Sequence, residues 1–103
     1  MYIDWSGEFR FEWDPFKAAR NFRKHGVSFH EAQTAFSDDY GLLVDHLGLA
    51  SEDQRFVLLG VSGTLRLLVV VHSYREMDRT IRLISARKAT RSERAQYAAQ
   101  FHS

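Results

Sequence analysis

The stretch Thr64–Arg91, TLRLLVVVHSYREMDRTIRLISARKATR, decides how this chain folds. It holds the longest apolar run, Leu67–Val71, and a second β-rich run, Thr80–Ala86, with the polar residues Arg75–Arg79 between them. Two such runs joined by a few turn-compatible residues read as a β-hairpin. A three-residue turn pairs Arg75 with Arg79. That register sets His72 opposite Arg82, Val70 opposite Ile84 and Leu67 opposite Arg87. Side chains alternate faces along a strand, so His72, Arg82, Val70 and Ile84 would share one face. An imidazole beside a guanidinium on an apolar sheet needs a reason, because arginine is rarely buried without a partner. Two readings stay open: an ion pair with a satisfied core histidine, or a site for chemistry on an anion.

Outward from this hairpin, Arg55–Val61 is the preceding strand, and Ser62-Gly63 marks the turn into the central run. A two-residue turn places Arg55 on the His72 face, and a three-residue turn places it on the other. Ser-Gly favours the first. Leu42–Val44 is a short strand within the acidic connection Asp38–Asp53. Glu8–Trp13 alternates Phe9, Phe11 and Trp13 against Glu8, Arg10 and Glu12, the pattern of a half-buried strand. Asp14-Pro15 then opens a helix that runs to His25 and closes on Gly26. Pro15, Ala18, Ala19 and Phe22 form its expected core side. Lys17, Arg20, Asn21 and Lys24 line another side with no acid, a solvated face or a phosphate-binding one. Ser28 with Glu31 predicts a capping box for a second helix, whose apolar stripe is Phe29, Ala32 and Phe36. Thr90 with Glu93 predicts another, and Arg94, Tyr97, Ala98 and Phe101 share one side of the C-terminal helix. The order β-α-α-(β)-β-β-β-α predicts an α+β fold. It is an antiparallel β-sheet meander with two N-terminal helices and a C-terminal helix, forming a single domain over residues 1–103.

Net charge is +1, but it is unevenly spread. Residues 1–60 carry 6 basic and 10 acidic groups, whereas residues 61–103 carry 8 basic and 3 acidic ones. A basic half can attract a polyanion if the fold gathers it on one face. The chain has no cysteine, which removes disulfides and thiolate metal sites and suits a reducing compartment. MYIDWSGEFR lacks an apolar signal core, and no apolar run approaches membrane-spanning length. The expectation is a cytoplasmic protein without membrane contact.

The helix–GVS–helix arrangement resembles a helix-turn-helix, yet its second helix, SFHEAQTAFSDD, holds no Lys or Arg and runs into acid. Such a helix is a poor neighbour for phosphates. The five histidines show no ligand spacing, so no metal is expected. There is no glycine-rich phosphate loop and no nucleophile elbow, so no cofactor is expected either. What remains is a set of cations near one or two imidazoles, which suits recognition of and chemistry on a phosphate ester.

WDPFKAARNFRKHGVSFHEAQTAF, QRFVLLG, LRLLVVVHSY and IRLISARKATRSERAQY, in that order, resemble the BrnT family of toxins from type II toxin–antitoxin pairs. The first ten residues lie outside this resemblance. It implies a RelE-like fold and a ribonuclease. It also implies neutralisation by a BrnA-type ribbon-helix-helix antitoxin in a hetero-oligomer, with promoter DNA bound only through the antitoxin. The resemblance carries functional positions onto Lys24, His25, Arg55, His72, Arg82 and Arg87.

A metal-independent ribonuclease can use the 2′-hydroxyl of RNA as nucleophile. The protein then accepts a proton, supplies another and stabilises the phosphorane charge. Imidazole carries protons near neutral pH, and guanidinium matches phosphate oxygens bidentately. The expected catalytic set is Lys24, Arg55, His72 and Arg82, with RNA contacts from Lys17, Arg20, His25, Arg87 and Arg91. The alternative is a non-catalytic RNA- or protein-binding module using the same basic surface.

Overall fold

A computed structural model describes residues 1–45 and 55–102. His46, Glu52 and Asp53 of the acidic connection lie outside the described residues. The strands are β1 (Tyr2–Ser6), β2 (Phe9–Trp13), β3 (Leu42–Asp45), β4 (Arg55–Val61), β5 (Leu67–Arg75) and β6 (Thr80–Lys88). The helices are α1 (Pro15–His25), α2 (Phe29–Thr34) and α3 (Arg91–Ala99). The strands form one sheet in the order β1-β2-β6-β5-β4-β3. Its β2–β6 pair is parallel and the others are antiparallel, so the expected antiparallel meander is corrected to a mixed sheet in an α+β fold. The parallel pair joins the two ends of the chain, and the intervening helices and strands supply the long crossover it needs. β1 was not expected. Gly7, at φ +60°, turns its chain back onto β2 in a tight hairpin.

One sheet face is covered by α1 and α2. Phe11, Trp13, Val70, Ile81 and Leu83 from the strands meet Val27, Phe29 and Ala32 there. On the other face α3 places Tyr97 over Leu59, Val69 and Val57, covering only the end near β3 and β4. Among the described residues, no other helix packs on the remainder of that second face, called the open face below.

The caps of α1 agree with the sequence. Asp14 accepts a hydrogen bond from the Phe16 N–H at 2.9 Å, and Gly26 takes φ +70°. The inward side differs. Phe22 is 55% exposed and Phe16 85%, while Asn21 is buried. The Asn21 amide donates to Val27 O (3.0 Å) and Ala86 O (2.9 Å) and accepts from the Ala86 N–H (3.1 Å). β2 pairs with β6 only along Thr80–Arg82, so Ala86 has no strand neighbour on that side. The amide supplies the hydrogen bonds that a strand would, which no apolar side chain could do.

Ser28 caps α2 through the Glu31 N–H, but the Glu31 carboxylate does not close the expected capping box. It reaches instead to the β4–β5 connection, accepting from Ser62 Oγ (2.8 Å), Thr64 Oγ1 (2.6 Å) and the Arg66 guanidinium. These bonds, Arg66 foremost, hold its carboxyl down to about 2. The connection spans Ser62–Arg66, with Leu65 in the left-handed region at φ +65°, rather than the two residues expected from Ser-Gly. Its length pairs Arg55 with Ser73 and puts Arg55 on the face opposite His72.

The β5–β6 turn is also longer than expected. A 3₁₀ turn at Glu76–Asp78 and a left-handed Arg79 place Thr80, not Arg79, opposite Arg75. One residue of slip moves every side chain to the other face. His72 therefore lies opposite Leu83, and Arg82 lies opposite Ser73. A bulge at Val71/His72 adds a second shift, setting Val70 opposite Ala86 and Val69 opposite Arg87. The expected His72–Arg82 neighbourhood does not exist: the two side chains project from opposite sides of the sheet.

Candidate active site

The longer turns break one expected cluster and assemble another. On the open face, a single cross-strand row runs Ile3–Glu12–Arg82–Ser73–Arg55 through β1, β2, β6, β5 and β4. A second row beside it runs Trp5–Arg10–Thr80–Arg75. Strand alternation produces this arrangement. Phe11 and Trp13 turn inward to the helices, so Arg10 and Glu12 must turn outward to the open face.

Glu12 is the pivot of the two rows. Only 7% exposed, it accepts from the Arg82 guanidinium at 2.9 Å and from Arg75 at 3.3 Å. Arg75 also grips Asp78 at 2.9 Å, and Asp78 approaches Arg10 at 3.9 Å. The Arg75 guanidinium holds the Asp78 carboxyl down to about 2, and that carboxylate raises Arg75 further above its already high value. Three arginines (Arg10, Arg75, Arg82) thus surround two carboxylates, and a fourth, Arg55, ends the row on β4. The surplus positive charge faces solvent on a shallow sheet surface. Guanidinium groups in such a row can hold phosphate oxygens bidentately. The buried carboxylate among them is placed to take a proton from a hydroxyl held against the row.

Of the expected catalytic residues, Arg82 and Arg55 stand on this row, two strands apart and about 10 Å from each other. His72 stands on the other side. It is 3% exposed, with Nδ1 at 3.1 Å from Val70 O and its ring against Phe36 and Phe56. Burial pushes its pKa down and favours the neutral ring. It lines an apolar cavity of about 470 Å³ with Phe36, Phe56, Leu58 and Tyr74. Lys24 and His25 end α1, on the His72 side of the sheet, and Lys17 and Arg20 belong to the same helix. Ala18 of that helix packs on the covered face and Asn21 meets the unpaired edge of β6. Among the described residues, none of the Lys17, Arg20, Lys24 and His25 side chains bonds to a residue of the arginine row. Arg87 lies on the Arg82 face but is held by Glu93 at 2.7 and 2.9 Å, and Arg91 is exposed in the first turn of α3. The Thr90–Glu93 capping box is present as expected.

Glu12, Arg10 and Arg75 were missed by the sequence reading. The outward alternation of Arg10 and Glu12 was visible, but not that β2 would lie beside β6. Among the described residues, no three His, Asp or Glu side chains are grouped as metal ligands. No described helix is long and apolar enough to cross a membrane.

Comparison with known proteins fits this architecture. A crystal structure of the Brucella abortus ribonuclease toxin BrnT superposes with a TM-score of 0.57 at 22% identity, covering 77% of this chain and 94% of that one. No curated protein sequence gives a match. A family model described as "Ribonuclease toxin, BrnT, of type II toxin-antitoxin system" matches residues 13–93, most of the chain. By that match, this chain belongs to the BrnT family of ribonuclease toxins.

Proposed function

We propose that this chain cleaves RNA on the open sheet face, without a metal ion, and that Glu12, Arg82 and Arg55 carry the reaction. The supporting observation is the row itself: a buried carboxylate held between two guanidinium groups, with a third cation two strands beyond Arg82. The 2′-oxygen attacks the adjacent phosphorus while its proton passes to the Glu12 carboxylate. Arg82 and Arg55 meet the negative charge that builds on the phosphorane oxygens, the interaction that contributes most in such reactions. The P–O5′ bond then breaks. The 5′-oxygen takes a proton from water, and Glu12 releases its own to solvent. The products are a 2′,3′-cyclic phosphate and a 5′-hydroxyl. Arg87 and Arg91 extend the positive surface toward α3 for flanking phosphates. Lys17, Arg20, Lys24 and His25 lie on the far layer, where they act on RNA by long-range attraction. His72 is assigned to the core.

The partner in this reading is a BrnA-type ribbon-helix-helix antitoxin in the cytoplasm, forming a hetero-oligomer that reaches promoter DNA through the antitoxin. It silences the toxin by covering the arginine row with Asp or Glu side chains, since complementary charge speeds association and selects the partner. The fold is read as a single RelE-like domain.

The test is digestion of single-stranded RNA in excess EDTA with analysis of the product ends. Cleavage that persists and leaves 2′,3′-cyclic phosphate, with a DNA copy left intact for want of the 2′-hydroxyl, is the expected result. Dependence on Mg²⁺ overturns it.

A further inference from the structure

β1 lies outside the stretch that defines the family match, yet it forms one wall of the arginine row. Its alternation is fixed from the other side: Tyr2 stacks on the buried Trp13 ring at 4.5 Å, on the helix-covered face. Ile3 and Trp5 therefore turn to the open face, Ile3 opposite Glu12 and Trp5 opposite Arg10. Trp5 is 64% exposed and Ile3 45%, a large apolar surface with no described helix or loop packed over it. Met1 belongs to the same wall, because the Arg82 guanidinium that holds Glu12 also donates to its sulfur at 3.4 Å.

An indole left in water beside Arg10, with Arg82 two strands away from it on the same face, has a ready use. Unpaired bases stack on aromatic rings, and arginines alongside hold the backbone that carries those bases. Trp5 stands two strand spacings from β6, about 10 Å, which lets it meet a base whose neighbouring phosphate lies at Arg82. Stacking tolerates any base, so such a platform fixes where the strand lies more than which sequence it has.

We propose that Trp5, backed by Ile3, is a stacking platform for one unpaired base of the RNA, setting the register of the strand on the Glu12–Arg82 row. This rests on the reading of that row as the RNA site. It adds a positioning residue from a strand outside the family match.

The experiment titrates the full chain with a single-stranded DNA oligomer, which carries bases and phosphates but no 2′-hydroxyl, and follows tryptophan fluorescence. Trp13 is 3% exposed, so a change on binding reports Trp5. Parallel titrations use the same oligomer with one abasic nucleotide at successive positions. The expected result is a fluorescence change that disappears at a particular abasic position. Trp5→Ala and Trp5→Leu should weaken oligomer binding and raise KM for RNA by about 5- to 100-fold with little change in kcat, while Trp5→Phe restores most of the affinity. Leu keeps apolar bulk on the strand but cannot stack, so it separates stacking from packing. Equal affinity of wild type and Trp5→Leu, or indifference to every abasic position, overturns the platform. If RNA is not cut while the oligomer still binds through Trp5, the platform stands and the cleavage reading alone fails.

Discussion

Glu12 and Arg82 lie opposite one another on the parallel strands β2 and β6, joined by a 2.9 Å ion pair on the open face of the sheet. Because Arg75 also reaches Glu12, at 3.3 Å, removing Arg82 does not leave a buried carboxylate without a partner. The pair can therefore be dissected without losing the fold, although breaking a buried pair usually costs several kcal/mol.

Arg82→Ala should lower kcat/KM on single-stranded RNA by about 10²–10³, the usual loss when a donor to developing charge is removed. Glu12→Gln keeps the shape but not the proton acceptor, and should cost about 10²–10⁴. The double variant should lose less than the product of the two, as residues acting in one step do. Circular dichroism should be unchanged in all three. Wild-type cleavage by either single variant would remove the row from the mechanism.

His72→Leu should leave cleavage intact and alter stability instead. The folded-state pKa of His72 is pushed below its ordinary 6.5, so the unfolded chain binds a proton that the folded chain refuses. Its contribution is fully present above pH 6.5 and is lost as pH falls toward the folded value. Urea midpoints of the wild type should therefore drop on acidification below about pH 6.5, and the leucine variant should flatten that slope.

Glu31→Gln should destabilise the protein by about 1.5 kcal/mol at neutral pH, the lower end for hydrogen bonds to a charged group because Arg66 is a third exposed. The Glu31 carboxyl falls from an ordinary 4.5 to about 2 in the fold. Its contribution is complete above pH 4.5 and disappears as pH falls toward 2. Wild type and variant should converge in chemical denaturation at pH 2.

Asn21→Leu should lower stability by about 2–4 kcal/mol, since it strands Val27 O and both backbone groups of Ala86. Phe22→Ser, on the exposed side of the same helix, should stay within about 0.5 kcal/mol. Thermal melts of the two variants rank them. The opposite order would restore the apolar side that helical spacing alone predicted.

That contrast shows what could be read in advance. Helix ends were legible, because Asp14, Pro15, Gly26, Ser28, Thr90 and Glu93 each act within a few residues of themselves. Strands β3 to β6 were legible from their apolar runs. Pairing was not. Which face Arg82 or Arg55 occupies depends on left-handed residues at Leu65 and Arg79, neither of them a glycine that would have signalled the turn. Glu31 carried a local signature, the capping box, and used its carboxylate at a distance instead. Glu12 became a candidate only once β2 was seen beside β6, a neighbourhood that no local pattern encodes.

The four-residue turn at Glu76–Arg79 and the bulge at Val71/His72 act as two successive half-steps along one hairpin. The first half-step decides the side on which Arg82 emerges. The second restores the inward parity of Val70 and Ala86 farther along. At this turn, chain length therefore sets the faces more strictly than side-chain chemistry does. Met77 at the turn tip, almost wholly in water, can be exchanged for nearly anything, whereas deleting it would turn Arg82 toward the helices and Leu83 toward solvent. Substitution at this turn changes one side chain, whereas loss of a residue changes the side of the sheet from which Arg82 emerges.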